Sequence, residues 1–232
     1  MVKVSIIVPV KDDKRISNLI RALERQTFKN FEVLIADDSK ERLFNEKTKL
    51  DLKYFHKIPM SIADKFHFLG KKAKADIIAV TESDCVPSER WLEELLSEYE
   101  NDKTIVVGAQ VTSENINYGN LLIPKKAFKI SHDNILKIAD DTDWFLTLTE
   151  KGFVLKSINK AVVRHYKNPV KRLLRSFTYG REHAYVYIKH RKDRKLLNSI
   201  FFQSASSFFS LFTVILLIMY GIYYKIKFMM KK

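Results

Sequence analysis

Three apolar stretches of strand length constrain the fold of this chain more than any other feature. They are VSIIVPV (4–10), FEVLIADDS (31–39) and DIIAVTESD (76–84). A strand with one solvent-exposed face alternates apolar and polar residues, so continuous apolar runs indicate strands that are buried on both faces. Helix-like patterns, RISNLIRALERQ (15–26) and WLEELLSEYE (91–100), lie between and after them. The alternation predicts an α/β domain with a mainly parallel sheet.

The rest of this domain is less regular. TIVVGAQVT (104–112) is strand-like, and residues 113–135 predict a loop with a short strand. Residues 135–152 predict a helix that ends at Gly152, and residues 153–166 predict a return to strand.

Acidic residues follow the buried runs where each strand is expected to end. They are Asp12, Asp13, Asp37, Asp38, Glu82 and Asp84. Ligands of parallel α/β sheets gather at the carboxyl ends of the strands. This coincidence is the first indication of a functional site.

Glu82 and Asp84 are two residues apart, so on an extended chain their side chains point to the same side. Two close carboxylates repel each other unless a cation or proton lies between them. Mg²⁺ and Mn²⁺ prefer oxygen ligands and often share them with phosphates. The pair therefore predicts either a metal–diphosphate site or two solvated acids. No G-x-G-x-x-G or P-loop pattern occurs, so a bound diphosphate would need a metal and basic side chains.

The formal charge of +14, from 41 basic and 27 acidic residues, favours an anionic partner. Such a partner could be nucleic acid, a lipid surface or a phosphorylated small molecule. A single cysteine, Cys85, excludes an internal disulfide and a cysteine-based zinc site. We interpret Cys85 as a small buried apolar residue.

An uncharged run from Leu196 to Tyr224 is long enough to cross a bilayer, which takes roughly 20 apolar residues. We expect a transmembrane segment at 199–226 with a basic tail at 227–232. A buried core helix, a helix hairpin and a homo-oligomer packed through the serines of the segment are alternatives.

Residues 168–198 are basic and partly amphipathic, which predicts an interfacial helix on anionic lipid. Nucleic acid is the competing partner for such a segment, and the adjacent apolar run argues against it. The start MVKVSIIVPV does not resemble a signal peptide, so we expect the domain at 1–167 to lie on the cytoplasmic side of the membrane.

The segments VSIIVPVKDD, LIRALERQTFKNFEVLIADDS and ADIIAVTESDCVPSERWLEEL, in this order, resemble family 2 glycosyltransferases of the GT-A fold, a Rossmann-like nucleotide-diphospho-sugar transferase fold. DDTDWFL and VVRHY extend the resemblance more loosely. The resemblance implies transfer of a sugar from a nucleotide-diphosphate donor, UDP or GDP, with inversion and with Mn²⁺ or Mg²⁺. The expected acceptor is a glycan or is membrane-borne, through a hydroxyl or a lipid phosphate.

The resemblance also implies roles for individual residues. Asp141 matches the catalytic base, and Asp84 and His165 match metal ligands. Nucleotide-sugar contacts are expected from Pro9, Lys11, Asp13, Asp38, Lys65, Glu82 and Ser83. Asp140 and Arg181 are weaker candidates for contacts with the acceptor or a phosphate.

Some positions depart from the family pattern. Glu82 replaces the usual first aspartate of the metal motif, Asp140 replaces a usual glutamate, and Thr147 stands where many members have arginine. These departures leave the donor sugar open. Two rival interpretations stay open. The departures leave a nucleotide-sugar binding protein of the membrane without turnover, and the predicted sheet leaves a nucleotidyltransferase. The second would need a glycine- and arginine-rich loop after the first strand, where this chain has VPVKDDKRIS.

Overall fold

The computed structural model describes residues 2–111, 119–133, 135–136, 139–166, 178, 181–182, 185–186 and 189–190. The chain divides into two compact units. One comprises Met1–Ser131 with Leu148–Lys167, and the other comprises His132–Thr147 with Asn168–Lys232. The predicted transmembrane segment and the basic tail, 199–232, lie outside the described residues, as does most of the predicted interfacial segment. Among the described residues, no helix has the length and apolar character to span a membrane. The predicted domain boundaries stay predictions.

Strands and helices alternate along the first unit. The strands are β1 (Val4–Val10), β2 (Phe31–Asp37), β3 (Asp51–His56), β4 (Ile77–Val80), β5 (Cys85–Pro87), β6 (Thr104–Val107), β7 (Leu121–Pro124), β8 (Val154–Ser157) and β9 (Val163–His165). The helices are α1 (Ile16–Glu24), α2 (Ile62–Lys72), α3 (Trp91–Ser97) and a 3₁₀ helix at Lys125–Lys129. The predicted helices near residues 15 and 91 and the three apolar strands are confirmed.

The described strands form a seven-stranded sheet in the order β3-β2-β1-β4-β7-β6-β8 and a two-stranded ribbon of β5 and β9. Strand β1 pairs in parallel with β2 and β4, and the pairs β2–β3 and β6–β8 are also parallel. Within the seven-stranded sheet, β7 runs antiparallel to both of its neighbours, β4 and β6, and the ribbon pairs β5 with β9 antiparallel. The predicted α/β fold with a mainly parallel sheet is therefore confirmed.

The core of the first unit lies around β1 and β2, in which every residue is buried. Helix α1 buries its apolar face, including Ile16, Leu19 and Leu23, in the same cluster. Burial of both faces explains why β1 and β2 read as continuous apolar runs. Strand β3 has the opposite character: it is the edge of the sheet, no residue of it is fully buried, and its charged residues conceal it in the sequence.

The segment predicted as one strand at 153–166 is two short strands, β8 and β9. A turn separates them, in which Ala161 has a positive φ of 53°. The predicted C-cap at Gly152 is confirmed by its φ of 81°. The N–H of Gly152 donates to the Thr149 carbonyl (2.9 Å), and that of Phe153 donates to the Leu148 carbonyl (3.0 Å). These are the two bonds of a Schellman motif.

A buried amide, Asn120, holds three segments of the first unit together. It accepts a hydrogen bond from Trp91 Nε1 of α3 (2.7 Å) and donates to the carbonyls of Ala109 (2.8 Å) and Ala161 (2.7 Å). A Cβ added to Gly108 would lie 2.5 Å from the Asn120 amide. This packing fixes the turn from which β9 starts, and β9 ends at His165.

In the second unit, the described residues include the first turns of α4 (Asp140–Glu150). Leu136, Ala139, Leu146 and Val186 form its apolar cluster. Asp143 is buried and accepts hydrogen bonds from His190 Nε2 (2.8 Å) and Lys189 Nζ (2.8 Å). These contacts anchor the start of α4 inside the unit.

Glu32 provides a test of how the sheet is held together. Its carboxylate is fully buried and accepts from Ser5 Oγ (2.7 Å) and the Lys74 N–H (2.7 Å). Burial raises the pKa of Glu32, but these hydrogen bonds and the nearby lysines outweigh it, so the pKa lies below the ordinary 4.5. Glu32→Gln should lower the free energy of unfolding at neutral pH by about 2 kcal/mol in denaturant titrations.

A lowered pKa means that the ionised carboxylate stabilises the fold above about pH 4.5, and that this stabilisation is lost as the pH falls through the folded-state pKa. The difference between wild type and Glu32→Gln should therefore shrink below pH 4.5. The exposed Glu41 is the matched control. A pH-independent difference, or an equal loss in Glu41→Gln, would contradict this assignment.

Candidate functional site

The loop after β1 sends its side chains in two directions. Asp12 has a positive φ of 51°, a conformation that aspartate tolerates better than most residues, and its N–H donates to Ser39 Oγ (2.8 Å). Lys11 lies on one side of this kink, and its Nζ contacts Asp38 Oδ2 (2.9 Å). Asp13 lies on the other side and accepts a hydrogen bond from Ser83 Oγ (3.0 Å).

The two aspartates at the end of β2 have different environments. Asp37 is fully buried, and its oxygens accept from Ser39 Oγ (2.5 Å), the Ser39 N–H (2.8 Å) and the Tyr54 hydroxyl (2.6 Å). Burial and the Asp37 carboxylate raise the pKa of Tyr54, so the phenol stays protonated as a donor. Asp38 instead borders a cleft beside two lysines. Asp37 therefore holds the loop, and Asp38 is the one of the pair available to a ligand.

This cleft has a volume of about 470 Å³. Its lining residues are Lys11, Asp12, Asp38, Ser39, Lys40, Lys57 and Pro59. A hydrogen bond from Lys11 lowers the pKa of Asp38, and the same bond raises the pKa of Lys11. Three lysines and two aspartates give the lining a formal charge of plus one, which favours an anion.

Lys65 lies behind the cleft with its side chain fully buried. Its Nζ donates to the Val10 carbonyl (2.9 Å) and lies 3.9 Å from Asp38 Oδ2. Burial lowers the pKa of this ammonium group, and the charge of Asp38 offsets only part of that effect. Lys65 thus connects the end of β1 to Asp38 from inside the protein.

The predicted metal ligands meet at a second cluster of the first unit. His165 Nε2 lies 3.2 Å from Asp84 Oδ1 and 3.6 Å from Glu82 Oε2. The ribbon brings them together, because Cys85 of β5 pairs with His165 of β9. His165 Nδ1 also contacts Gln110 Oε1 (3.2 Å), which orients the ring.

The geometry that places Glu82 beside Asp84 differs from the prediction. Strand β4 ends at Val80, and residues 83–84 form a turn in which the Cys85 N–H donates to the Glu82 carbonyl (3.0 Å). The side chains therefore converge through a turn and not through strand alternation. The proximity of the carboxylates was predictable, and its cause was not.

One ligand atom from each of Glu82, Asp84, Cys85 and His165 lies within 4.8 Å of the others, which is close enough to hold a metal ion. Two carboxylates and an imidazole suit Mn²⁺ or Mg²⁺. Burial raises the pKa of the Cys85 thiol well above its ordinary value, so the thiol stays protonated at neutral pH and is a poor ligand. The oxygen and nitrogen donors of the cluster therefore fit the expected cation.

Arg15 belongs to this cluster, and the sequence interpretation missed it. Its Nε and Nη2 contact the two oxygens of Asp13 (2.8 and 2.9 Å), and its Nη1 donates to the Tyr166 carbonyl (2.6 Å). Its Nη2 lies 3.5 Å from Asp84 Oδ2. The sequence offered one indication, an arginine two residues after an expected ligand-binding aspartate.

The remaining predicted residues are Pro9 of the first unit and Asp140, Asp141 and Arg181 of the second. Pro9 is buried within β1, opposite Ala36 of β2. Asp140 and Asp141 are in the first turn of α4, which belongs to the second unit; burial raises the pKa of Asp140. Arg181, also of the second unit, lies 3.8 Å from the adjacent Glu182. The roles assigned to these residues stay predictions.

The family model "Glycosyl transferase family 2" matches residues 5–163. Mannosyltransferase PcManGT from Pyrobaculum calidifontis, solved with GDP-Man and Mn²⁺, matches with a TM-score of 0.70 and 11% identity, over 93% of this chain and 72% of that one. No curated protein sequence matches significantly.

Structures of S. aureus TarS also match. A shortened form in complex with UDP-GlcNAc gives a TM-score of 0.67 and 14% identity, over 88% of this chain and 73% of that one. The longer TarS gives a TM-score of 0.63 and 16% identity, and the match spans 44% of its length. At these identities the matches establish a shared fold.

Proposed function

The chain belongs to glycosyl transferase family 2 and is an enzyme with the GT-A fold, and we propose that it moves a sugar from UDP or GDP to an acceptor hydroxyl or lipid phosphate. The reaction inverts the anomeric carbon. The observation that supports this proposal best is the pair of clusters joined by Lys11, Asp12 and Asp13. One is a lysine-lined cleft at Asp38, and the other is a metal-type cluster at Asp84.

The base of the donor nucleotide would lie at Asp38. A carboxylate flanked by the ammonium groups of Lys11 and Lys65 offers a hydrogen-bond acceptor beside hydrogen-bond donors. Uracil presents the complement, an N–H between two carbonyls, whereas guanine presents one carbonyl and adjacent N–H donors. We therefore place UDP before GDP. The similar TarS and PcManGT structures hold UDP-GlcNAc and GDP-Man, respectively.

Glu82, Asp84 and His165 would hold Mn²⁺ or Mg²⁺, which when bound neutralises negative charge on the leaving diphosphate. Ser83 donates to Asp13 and so orders the loop that approaches the donor. Pro9, near the end of β1, fixes the position inside the sheet from which this loop leaves. In this way β1, β2 and the turn after β4 present one surface to the nucleotide and its diphosphate.

The acceptor would be activated by Asp141, which takes the proton from the attacking hydroxyl as a general base. Its Oδ1 accepts a hydrogen bond from the Thr142 N–H (2.6 Å), so the carboxylate is oriented at the start of α4. Asp140 and Arg181 are proposed contacts to the acceptor or to a phosphate. One carboxylate base and direct displacement are sufficient for inversion.

Metal binding can be tested without turnover. Asp84→Asn should weaken Mn²⁺ binding by about tenfold or more, measured as loss of the free Mn²⁺ signal in electron paramagnetic resonance titrations. Cys85→Ala is the matched control and should leave the affinity unchanged, because the protonated thiol is not a ligand. Equal affinities in wild type and Asp84→Asn, or a loss in Cys85→Ala, would show that the ligand set is different.

The proposed base is tested by separating binding from transfer. Asp141→Asn should retain the thermal shift that a UDP-sugar with Mn²⁺ produces, because the change leaves the donor cleft intact. Transfer should fall by about 100-fold or more, the usual contribution of a general base. Full activity of Asp141→Asn would refute the assignment, and a larger shift with a GDP-sugar would reverse the order of donors.

We also propose that residues 199–226 bind the chain to a membrane, with residues 168–198 on anionic lipid and the catalytic domain on the cytoplasmic side. The support is the sequence, uncharged from Leu196 to Tyr224 and basic on both sides.

The full chain should stay with membranes in alkaline carbonate, and a chain ending at Asn198 should be extracted. In sealed inside-out vesicles, protease should digest the catalytic domain without detergent. A carbonate-soluble full chain would contradict the anchor, and protection would contradict the orientation.

A further inference from the structure

Arg15 joins three segments of the first unit that the metal-type cluster depends on. Its backbone N–H and its guanidinium both bind Asp13, which follows β1. The same guanidinium reaches Asp84 in the turn after β4 (3.5 Å) and donates to the carbonyl of Tyr166, the residue after His165 (2.6 Å). The Tyr166 N–H in turn donates to the Asp84 carbonyl (3.1 Å).

The charges of this cluster give Arg15 a second role besides bridging. The side chains of Asp13, Glu82 and Asp84 are three carboxylates, and with the one guanidinium their formal charge is minus two. A divalent cation at Asp84 balances that charge, with His165 neutral as a ligand must be. Without Arg15 the formal charge would be minus three. The cation would then be held more strongly, and a diphosphate would be repelled more strongly.

We propose that Arg15 is a resident counter-cation of this site, whose charge weakens metal binding at Asp84 and strengthens binding of the donor diphosphate. The inference rests on the proposed function, since it takes the metal and the diphosphate from there. Arg15 acts on the metal through Asp84 and is therefore a positioning residue for it. The guanidinium, with a side chain that is 44% exposed, is accessible to a phosphate oxygen.

The sign of the two effects separates this role from simple bridging. If Arg15 only ordered Asp13, Asp84 and Tyr166, its removal would weaken metal and donor binding together. If the charge of Arg15 matters, removal of Arg15 strengthens metal binding and weakens diphosphate binding, because the metal and the diphosphate have opposite charges. Partial exposure screens the interaction, so the expected change is moderate.

The experiment compares full-length wild type, Arg15→Gln, Arg15→Lys and the control Arg21→Gln. Arg21 is in α1, the helix that Arg15 immediately precedes, and its only ion pair among the described residues is a long one, 3.9 Å, to Glu46. Mn²⁺ affinity is measured by electron paramagnetic resonance without nucleotide. Affinity for whichever of UDP and GDP the wild type binds is then measured by calorimetry at saturating Mn²⁺.

Arg15→Gln should bind Mn²⁺ about threefold to tenfold more tightly and the nucleotide about tenfold more weakly. Arg15→Lys keeps the charge and loses the planar fork, so its Mn²⁺ affinity should stay within about twofold of wild type. Arg21→Gln should change neither affinity. Unchanged or weaker Mn²⁺ binding in Arg15→Gln would overturn this inference and leave the proposed metal site standing. A wild-type chain that binds no Mn²⁺ would overturn the proposed metal site and this inference with it.

Discussion

Several carboxylates lie at one edge of the sheet, and their negative charge has to be compensated by nearby cations. The rest of the site depends on this constraint. Parallel pairing of β1, β2 and β4 brings Asp13, Asp38 and Asp84 to the same edge, whatever their separation in the sequence. Carboxylates gathered in this way repel each other unless cations or donors lie among them. Lysines compensate Asp38 and an arginine compensates Asp13, and these cations define the cleft and the cluster.

Asp37 and Asp38 show how burial divides two identical side chains. Asp37 is fully buried, and the three hydrogen bonds that its carboxylate accepts come from groups of its own loop and of β3. Asp38 faces the cleft, and its partners are the ammonium groups of two lysines. A carboxylate satisfied by short internal hydrogen bonds stabilises the fold. One paired with side chains of opposite charge at a surface can exchange them for a ligand.

The sequence was sufficient for the parts of the fold set by continuous burial. β1, β2 and α1 were predictable because their apolar patterns have one explanation, and Gly152 because a C-cap needs a positive φ. β3 was missed because edge strands need no apolar run. The turn at Glu82 and Asp84 was misread as extended chain, since two acids two residues apart fit both conformations. Arg15 was missed because its partners, Asp84 and Tyr166, are distant in the sequence and only the fold brings them together.

The metal-type cluster is formed by uncharged contacts as much as by charged ones. Pairing of Cys85 with His165, the Asn120 hydrogen bonds to the Ala109 and Ala161 carbonyls, and the bond from the Tyr166 N–H to Asp84 all use the backbone. Backbone hydrogen bonds do not depend on which cation lies among the carboxylates. If the cluster holds the proposed metal ion, it can therefore keep its shape while the fixed guanidinium and the metal ion share the compensation of charge. Such an arrangement lets a site bind and release a metal–nucleotide pair without refolding, because only charge, and not scaffold, changes at each step.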